Sequence, residues 1–524
     1  MQTHRKTGGG SLSGWLARTM AVWMLAAVWS SPDAVAAGRL NVLLITADDM
    51  NCDSVGAFGC RVKDTTPNID RLAAQGMRFE HAHVTIAVCQ PCRSVWLTGR
   101  YPHRSGGEGF HKLQKPGVPL LPDLLRKAGY LVGLLGKEPH CTPYADFQWD
   151  TPKQPLGSGR NPRLYGEHAG AFIKQAKRAG KPFFLMANSH DPHRPFYGND
   201  GYEYGKPDGP QVPSKVFRPQ DVVVPGFLPD IPGVRLEISE YYSSVRRCDD
   251  TVGALLEALD RSGMASETIV VFLSDHGMAL PFAKTNVYYH STRTPWIVRW
   301  PGKVEPGSVD RDHFISGIDL TPTLLDAAGV DQPEGMDGFS MKPLLFGGKQ
   351  EGREMVFTQF HQTAGRGRYP MRAVEDKRFR YIYNPWSDGQ RVFKNESQSG
   401  RSMKAMLAAG QSDPDIAARC ELFLHRVPEE FYDLQKDPDA LNNLIDDPKY
   451  RDDVQQFRKA LADWMRRTDD PAGKAFAARE SEDVRQQFMA EEDQRAAAGK
   501  PKRQAQKQAT KPKNPRKQRK EQEK

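Results

Sequence analysis

The run Leu40-Asn41-Val42-Leu43-Leu44-Ile45-Thr46 constrains this chain more than any other segment: a nearly unbroken apolar strand that stops on two adjacent carboxylates, Asp48 and Asp49. A strand without a polar face is buried on both sides, the pattern of a parallel sheet covered by helices. The design recurs in Tyr130 to Leu135, Pro182 to Ala187 and Thr268 to Leu273, apolar runs that each lead into a polar loop carrying Lys, His or Asp. Pro67 to Gly76 and Leu121 to Ala128 have helical spacing. Strands alternating with helices predict an α/β fold with a large, mainly parallel sheet flanked by helices. Ligands of such sheets gather at the carboxyl ends of the strands.

Past Leu345-Phe346-Gly347-Gly348 the composition shifts. Met355 to Gln359, Met371 to Val374 and Phe379 to Tyr383 read as strands of a smaller sheet, and Val454 to Met465 as a closing amphipathic helix. A chain of 524 residues exceeds what one core usually organises. The expected layout is a catalytic domain over 38–350, a smaller C-terminal α+β domain over 351–470 and a charged, basic, disordered tail over 471–524.

Residues 1–37 read as a secretory signal peptide: Arg5, Lys6 and Arg18 precede the apolar run Met20 to Trp29, and Ala34-Val35-Ala36 supplies an A-x-A cleavage pattern. No later stretch is apolar for long enough to anchor the chain in a bilayer. The mature protein is therefore expected to be exported, periplasmic or extracellular. The formal charge of +9 belongs to the tail, where residues 500–524 hold eleven Lys or Arg against two Glu. That segment lacks large apolar residues and is expected to stay disordered, solvated or tethering the protein to an acidic polysaccharide or a membrane. Nucleic acid is a poor partner for an exported chain. The seven cysteines (52, 60, 89, 92, 141, 248 and 420) invite disulfides in that setting, with the odd count leaving at least one unpaired.

Adjacent carboxylates repel unless a cation or proton intervenes. Asp48 and Asp49 therefore ask for a metal, the alternative being a capping role for the following segment. A second strand ends in Ser274-Asp275-His276, and two such ends side by side form an oxygen-rich cage for Ca²⁺ or Mg²⁺. Basic groups follow other strand ends: Lys137 and His140 in one loop, His190, His193 and Arg194 in another, and Lys284 eight residues beyond His276. Together they describe a site for a tetrahedral anion, with cations neutralising it and imidazoles moving protons. Cys89-Gln90-Pro91-Cys92-Arg93 fits two chemistries, a C-x-x-C redox or metal pair and a C-x-P-x-R signature.

The second resolves into a resemblance. Cys89 to Arg93 with Leu97-Thr98-Gly99-Arg100, Thr66-Pro67-Asn68-Ile69-Asp70, Tyr101-Pro102-His103, Asp319-Leu320-Thr321-Pro322-Thr323 and the late Phe431-Tyr432-Asp433-Leu434 with Asp437-Pro438 and Asn443-Leu444 resemble the formylglycine sulfatases of the alkaline-phosphatase superfamily, over about residues 40–470. His190 to Arg194, Asn286 and Tyr369-Pro370-Met371-Arg372 look most like its N-sulfoglucosamine sulfohydrolases. The resemblance implies an alkaline-phosphatase-like fold. It implies a nucleophile made when a formylglycine-generating enzyme oxidises Cys89. It implies Ca²⁺, with Mg²⁺ as the other option, held by Asp48, Asp49, Asp275, His276 and the residue at 89. Arg93 and Lys137 would hold the aldehyde hydrate, His140 would act as base on it, and His193 and Lys284 would grip the sulfate and leaving group. His190, Arg194, His361 and Arg372, with Arg366, are candidate sugar contacts. Two departures stand out: Cys92 occupies the place of the usual Ser before Arg93, and Pro139 shifts His140 one residue further from Lys137.

The implied activity is hydrolysis of a sulfated saccharide, foremost an N-sulfoglucosamine. The alternatives are an O-sulfatase on glycans such as iduronate-2-sulfate, a phosphodiesterase or phosphonate hydrolase of the same superfamily, a thioredoxin-like oxidoreductase, and a non-enzymatic glycan-binding protein.

Overall fold

The computed structural model describes residues 40–498 except 145 and 152–155. The expected signal peptide and residues 499–524 of the expected tail lie outside the described residues.

Seven strands build the large sheet: β1 (Asn41–Asp48), β2 (Met77–His83), β3 (Leu131–Leu135), β4 (Phe183–Pro192), β5 (Thr268–Ser274), β6 (Trp296–Arg299) and β7 (Ser308–Ser316). Their order is β3-β4-β1-β5-β6-β2-β7. Every pairing is parallel except those of β6, which runs antiparallel to both β5 and β2. The mainly parallel sheet flanked by helices is the one the apolar runs predict. β1 is buried along its whole length, and sealing side chains the size of Leu43, Leu44 and Ile45 stabilises the fold by about 2 kcal/mol each. Helices Pro162–Arg178 and Pro232–Arg261 pack on one another, the second also lying against β4.

The order of strands creates the site. β4, β1 and β5 are consecutive neighbours and parallel, so the segments after them emerge side by side at one edge, with the loop after β3 alongside. β4 runs on through Pro192, so His190 and Asp191, read from sequence as loop, are the end of a strand.

A second, wholly antiparallel sheet follows in the order β11-β10-β9-β8, formed by β8 (Val356–Gln362), β9 (Arg368–Glu375), β10 (Phe379–Tyr383) and β11 (Glu429–Asp433). It docks through buried polar contacts. Gln359 N donates to Thr85 O at 2.9 Å, His83 Nε2 lies 3.2 Å from Glu375 Oε1, and the Arg380 guanidinium donates to Thr292 and Thr358 hydroxyls. These contacts bring the turn after β8 and the segment after β10 to the carboxyl edge of the large sheet.

The tail expectation is corrected over its first part. Gly473–Ala477 and Glu482–Ala498 are helices, and Glu492, buried, lies 2.6 Å from Arg368 Nη2. This ion pair and the apolar Phe488 and Met489, also buried, give the second helix a docking face. All seven cysteines carry free thiols, so the disulfides invited by their count are not formed.

Candidate active site

Asp48 and Asp49 close β1, with Asp49 at φ 69°, a left-handed conformation that Asp tolerates better than most residues. That turn lets the Asp49 amide donate to Asp275 Oδ1 at 3.0 Å, fastening the end of β1 to the end of β5. Cys89 opens the fully buried helix Cys89–Thr98 that follows β2, and its Sγ lies 3.4 Å from His276 Nε2 and 3.9 Å from Asp49 Oδ1. The other ring nitrogen, His276 Nδ1, sits 3.0 Å from Gly277 O, which turns Nε2 toward the acids, 3.3 Å from Asp49 Oδ1. After β3, Gly136 takes φ 71° where a Cβ would fall 2.2 Å from Asn188 O. Only glycine fits that approach, and it doubles the chain back so that Lys137 Nζ contacts Asp48 Oδ2.

Ligand atoms of Asp48, Asp49 and Asp275 lie within 4.8 Å of one another, as do those of Cys89, Asp275 and His276, and those of Asp49, Cys89 and His193. Three buried carboxylates so close must share positive charge. Part comes from Arg93, whose Nη2 lies 2.9 Å from Asp275 and 3.5 Å from Asp48 while Nη1 donates to Asn188 and Thr46. Part comes from Lys137 and from Lys284, whose Nζ is 2.7 Å from Asp49 Oδ2. Burial pushes Asp48 up, but Lys137, His193 and Arg93 outweigh it and hold the carboxyl well below its usual range. The convergent oxygens, with one imidazole and the atom at 89, form a hard donor set that fits Ca²⁺ or Mg²⁺.

A cavity of about 590 Å³ opens over this floor, lined among others by Cys89, Phe110, His140, His193, Lys284, Tyr369 and Glu396. Its two imidazoles are tuned apart. Burial and Lys284 oppose protonation of His193, but Asp49 and Asp48 raise its pKa to about 9. Burial and the Lys137 charge press His140 down to about 3. Its Nδ1 has no hydrogen-bond partner among the described residues, and the ring stands edge-on to Phe110. Burial raises the Cys89 thiol to about 11 and Cys92 well above its usual value. Burial thus favours the neutral thiols, which weighs against the oxidoreductase reading.

The structure gathers Asp48, Asp49, Cys89, Arg93, Lys137, His140, His193, Asp275, His276 and Lys284 into one site, and it separates the candidate sugar contacts from it. Arg194 turns away, pairing with Glu237 at 2.6 Å and donating to Ala279 O. His361 is 1% exposed, against Gln359 within the second sheet. Arg372 is held by Asp470 in a sealed two-point ion pair. His190 Nδ1 faces the Tyr165 hydroxyl at 3.1 Å behind the cavity wall. His190, Arg194 and Arg372, candidate sugar contacts by sequence, instead join separate elements, and His361 is paired within its own strand. Arg366 borders a different hollow of about 420 Å³ with Glu108, His111 and Arg368.

Sequence reasoning missed Glu396, whose Oε2 lies 2.8 Å from Lys284 Nζ and whose Oε1 lies 3.6 Å from His193 Nε2. Burial raises its carboxyl, but Lys284 and His193 pull it down to about 2. It also missed Thr363, Gly365 and Gly367, in the turn between β8 and β9, on the same wall. No local pattern marks them. Glu396 is 112 residues beyond its lysine partner.

Comparison with known proteins gives consistent relatives. Residues 40–330 match the sulfatase family, and residues 275–395 match the family described as N-sulphoglucosamine sulphohydrolase, C-terminal. Human N-sulphoglucosamine sulphohydrolase is 29% identical over 476 residues, spanning 82% of this chain and 91% of that protein. An ulvan-active sulfatase of Formosa agariphila is 28% identical, over 81% of this chain and 80% of its own length. Among solved structures, BT4656 in complex with D-glucosamine-2-N,6-O-disulfate superposes with a TM-score of 0.61 at 19% identity, over 82% of this chain and 98% of that one. The phosphonate monoester hydrolase of Agrobacterium radiobacter superposes at 0.59 with 22% identity, over 82% and 96%.

Proposed function

The chain belongs to the sulfatase family, hydrolases of sulfate esters or sulfamates, and within it we propose an N-sulfoglucosamine sulfohydrolase that uses a formylglycine at position 89 and a divalent cation. The observation that carries the nucleophile assignment is the position of Cys89, at the floor of the cavity and in the same cluster as Asp49, Asp275 and His276. The match of residues 275–395 to the C-terminal region of N-sulphoglucosamine sulphohydrolases supports the sulfamate substrate.

A formylglycine derived from Cys89 would supply a hydrated aldehyde hydroxyl as nucleophile, and Asp48, Asp49, Asp275 and His276 would hold a cation whose Lewis acidity would favour that hydroxyl's deprotonation. Lys284 and His193 reach the cavity from one side and hold the sulfate oxygens. His193, whose Nε2 lies 3.6 Å from Glu396 Oε1 at the cavity wall, gives a proton to the leaving nitrogen. Arg93 and Lys137 fix the negative charge around position 89. His140, kept neutral by burial and Lys137, takes the proton that lets sulfate depart. Two imidazoles with pKa values driven in opposite directions are the usual arrangement for separate acid and base duties.

The test is turnover by protein co-expressed with a formylglycine-generating enzyme, on N-sulfoglucosamine, glucosamine 6-sulfate, 4-nitrophenyl sulfate and bis(4-nitrophenyl) phosphate. Sulfate release should be fastest from N-sulfoglucosamine. Faster release from glucosamine 6-sulfate would replace this reading with O-sulfatase action on glycans, the second reading, favoured by the 28% identity to an ulvan-active sulfatase. Preference for the phosphate diester would overturn both.

A further inference from the structure

Resting on the sulfamidase reading, we propose that Glu396 selects sulfamates over sulfate esters by setting a fixed negative charge beside the leaving nitrogen.

The two hydrolyses differ in the charge left behind. In sulfamate hydrolysis the S–N bond breaks, water's oxygen ends on sulfur, the bonding pair stays on nitrogen, and both water protons end there: R–NH–SO₃⁻ and H₂O give R–NH₃⁺ and SO₄²⁻. In ester hydrolysis the S–O bond breaks, the alcohol oxygen keeps one proton and the other passes to solvent. A cation therefore forms on the leaving atom only with the sulfamate. A carboxylate aimed at that atom stabilises one transition state and leaves the other nearly unchanged, the differential binding that determines specificity.

Glu396 stands where such a charge would act. It lines the cavity, and its Oε1 is 3.6 Å from Nε2 of His193, the residue assigned above to protonate the leaving nitrogen. The side chain is 33% exposed, so a ligand can approach it. Its backbone is fixed from the floor of the site, because the preceding Asn395 donates through Nδ2 to Thr285 Oγ1 at 2.5 Å, next to Lys284. Lys284 has two carboxylate partners, Asp49 at 2.7 Å on the floor and Glu396 at 2.8 Å on the wall, and only the second also approaches His193 from the open side of the cavity. A second carboxylate on the wall of a sulfate site repels every substrate. Lys284 and His193 offset part of that cost, and a leaving nitrogen that turns positive as its bond to sulfur breaks offsets more of it.

The experiment compares matured wild type, Glu396→Gln and Glu396→Asp on N-sulfoglucosamine and 4-nitrophenyl sulfate, with glucosamine as a product inhibitor. Glu396→Gln, which also releases Lys284 and His193 and so shifts both activities, should lower kcat/KM on the sulfamate about tenfold more than on the ester, as expected for one partly exposed charge contact. Glucosamine inhibition should weaken by a similar factor, and Glu396→Asp should recover part of both. Equal losses on the two substrates, or no loss on the sulfamate, would overturn the role of Glu396 alone. Wild type that turns over the ester and not the sulfamate would overturn the sulfamidase reading and this inference together.

Discussion

Arg372 and Asp470 meet in a two-point ion pair, Nε to Oδ2 at 2.6 Å and Nη2 to Oδ1 at 2.8 Å, with both side chains sealed from solvent. The pair ties β9 to the segment just after helix Arg451–Arg467. Removing one partner leaves the other charge buried and alone, which costs about 3–5 kcal/mol. Asp470→Ala should lower stability by that amount in urea titration while KM of the folded fraction stays put. A raised KM with unchanged stability would return Arg372 to the substrate site.

The same pair sets an acid limit. Burial pushes the Asp470 carboxyl up, but Arg372 pulls it further down, so its folded value lies below the ordinary one. A depressed carboxyl contributes stability above its unfolded pKa of about 3.9 and loses it as pH falls toward the folded value. The stability gap between wild type and Asp470→Asn should thus be constant from about pH 5 to 8 and shrink below about pH 4. A gap that widens on acidification would contradict the assignment.

Asp48, Asp49 and Asp275 predict a divalent ion that stabilises as well as activates. Calorimetry in Ca²⁺ at a hundred times its Kd should show about 2.7 kcal/mol more stability than in chelator, and turnover should follow the same titration. Asp49→Asn should blunt both responses. Identical melting and turnover with and without Ca²⁺ or Mg²⁺ would remove the metal from the account.

The nucleophile has a direct readout. The tryptic peptide Phe79 to Arg93 should carry an aldehyde at 89 after maturation, and Cys89→Ala should lose turnover with an unchanged melting temperature. Lys284→Ala should lose roughly two to three powers of ten in rate. An intact thiol in fully active protein would refute the scheme.

What the sequence disclosed followed its physics. β1, β3, β4 and β5 are apolar on both faces, so their runs stand out without any knowledge of neighbours, and their carboxyl ends carry most of the site. β6 and β7 are different. β6 is four residues long and antiparallel, and β7 has a half-exposed first half, so neither leaves a continuous apolar run. The structure places Arg194, His361 and Arg372 in buried pairings away from the cavity, a role that sequence does not separate from ligand contact because both use the same side chains. Only the location of Glu237, Gln359 and Asp470 tells them apart. Glu396 was silent because its meaning comes from Lys284, which the fold alone brings near.

The cavity draws its two halves from separate stretches of chain. The anion-facing floor comes from segments before residue 290, and much of the opposite wall, residues 363–369 and 394–396, comes from the second sheet and the segment that leaves it. Mutation in the 363–369 turn can therefore reshape that wall without touching Lys284 or His193, whereas Glu396 is bound to both halves.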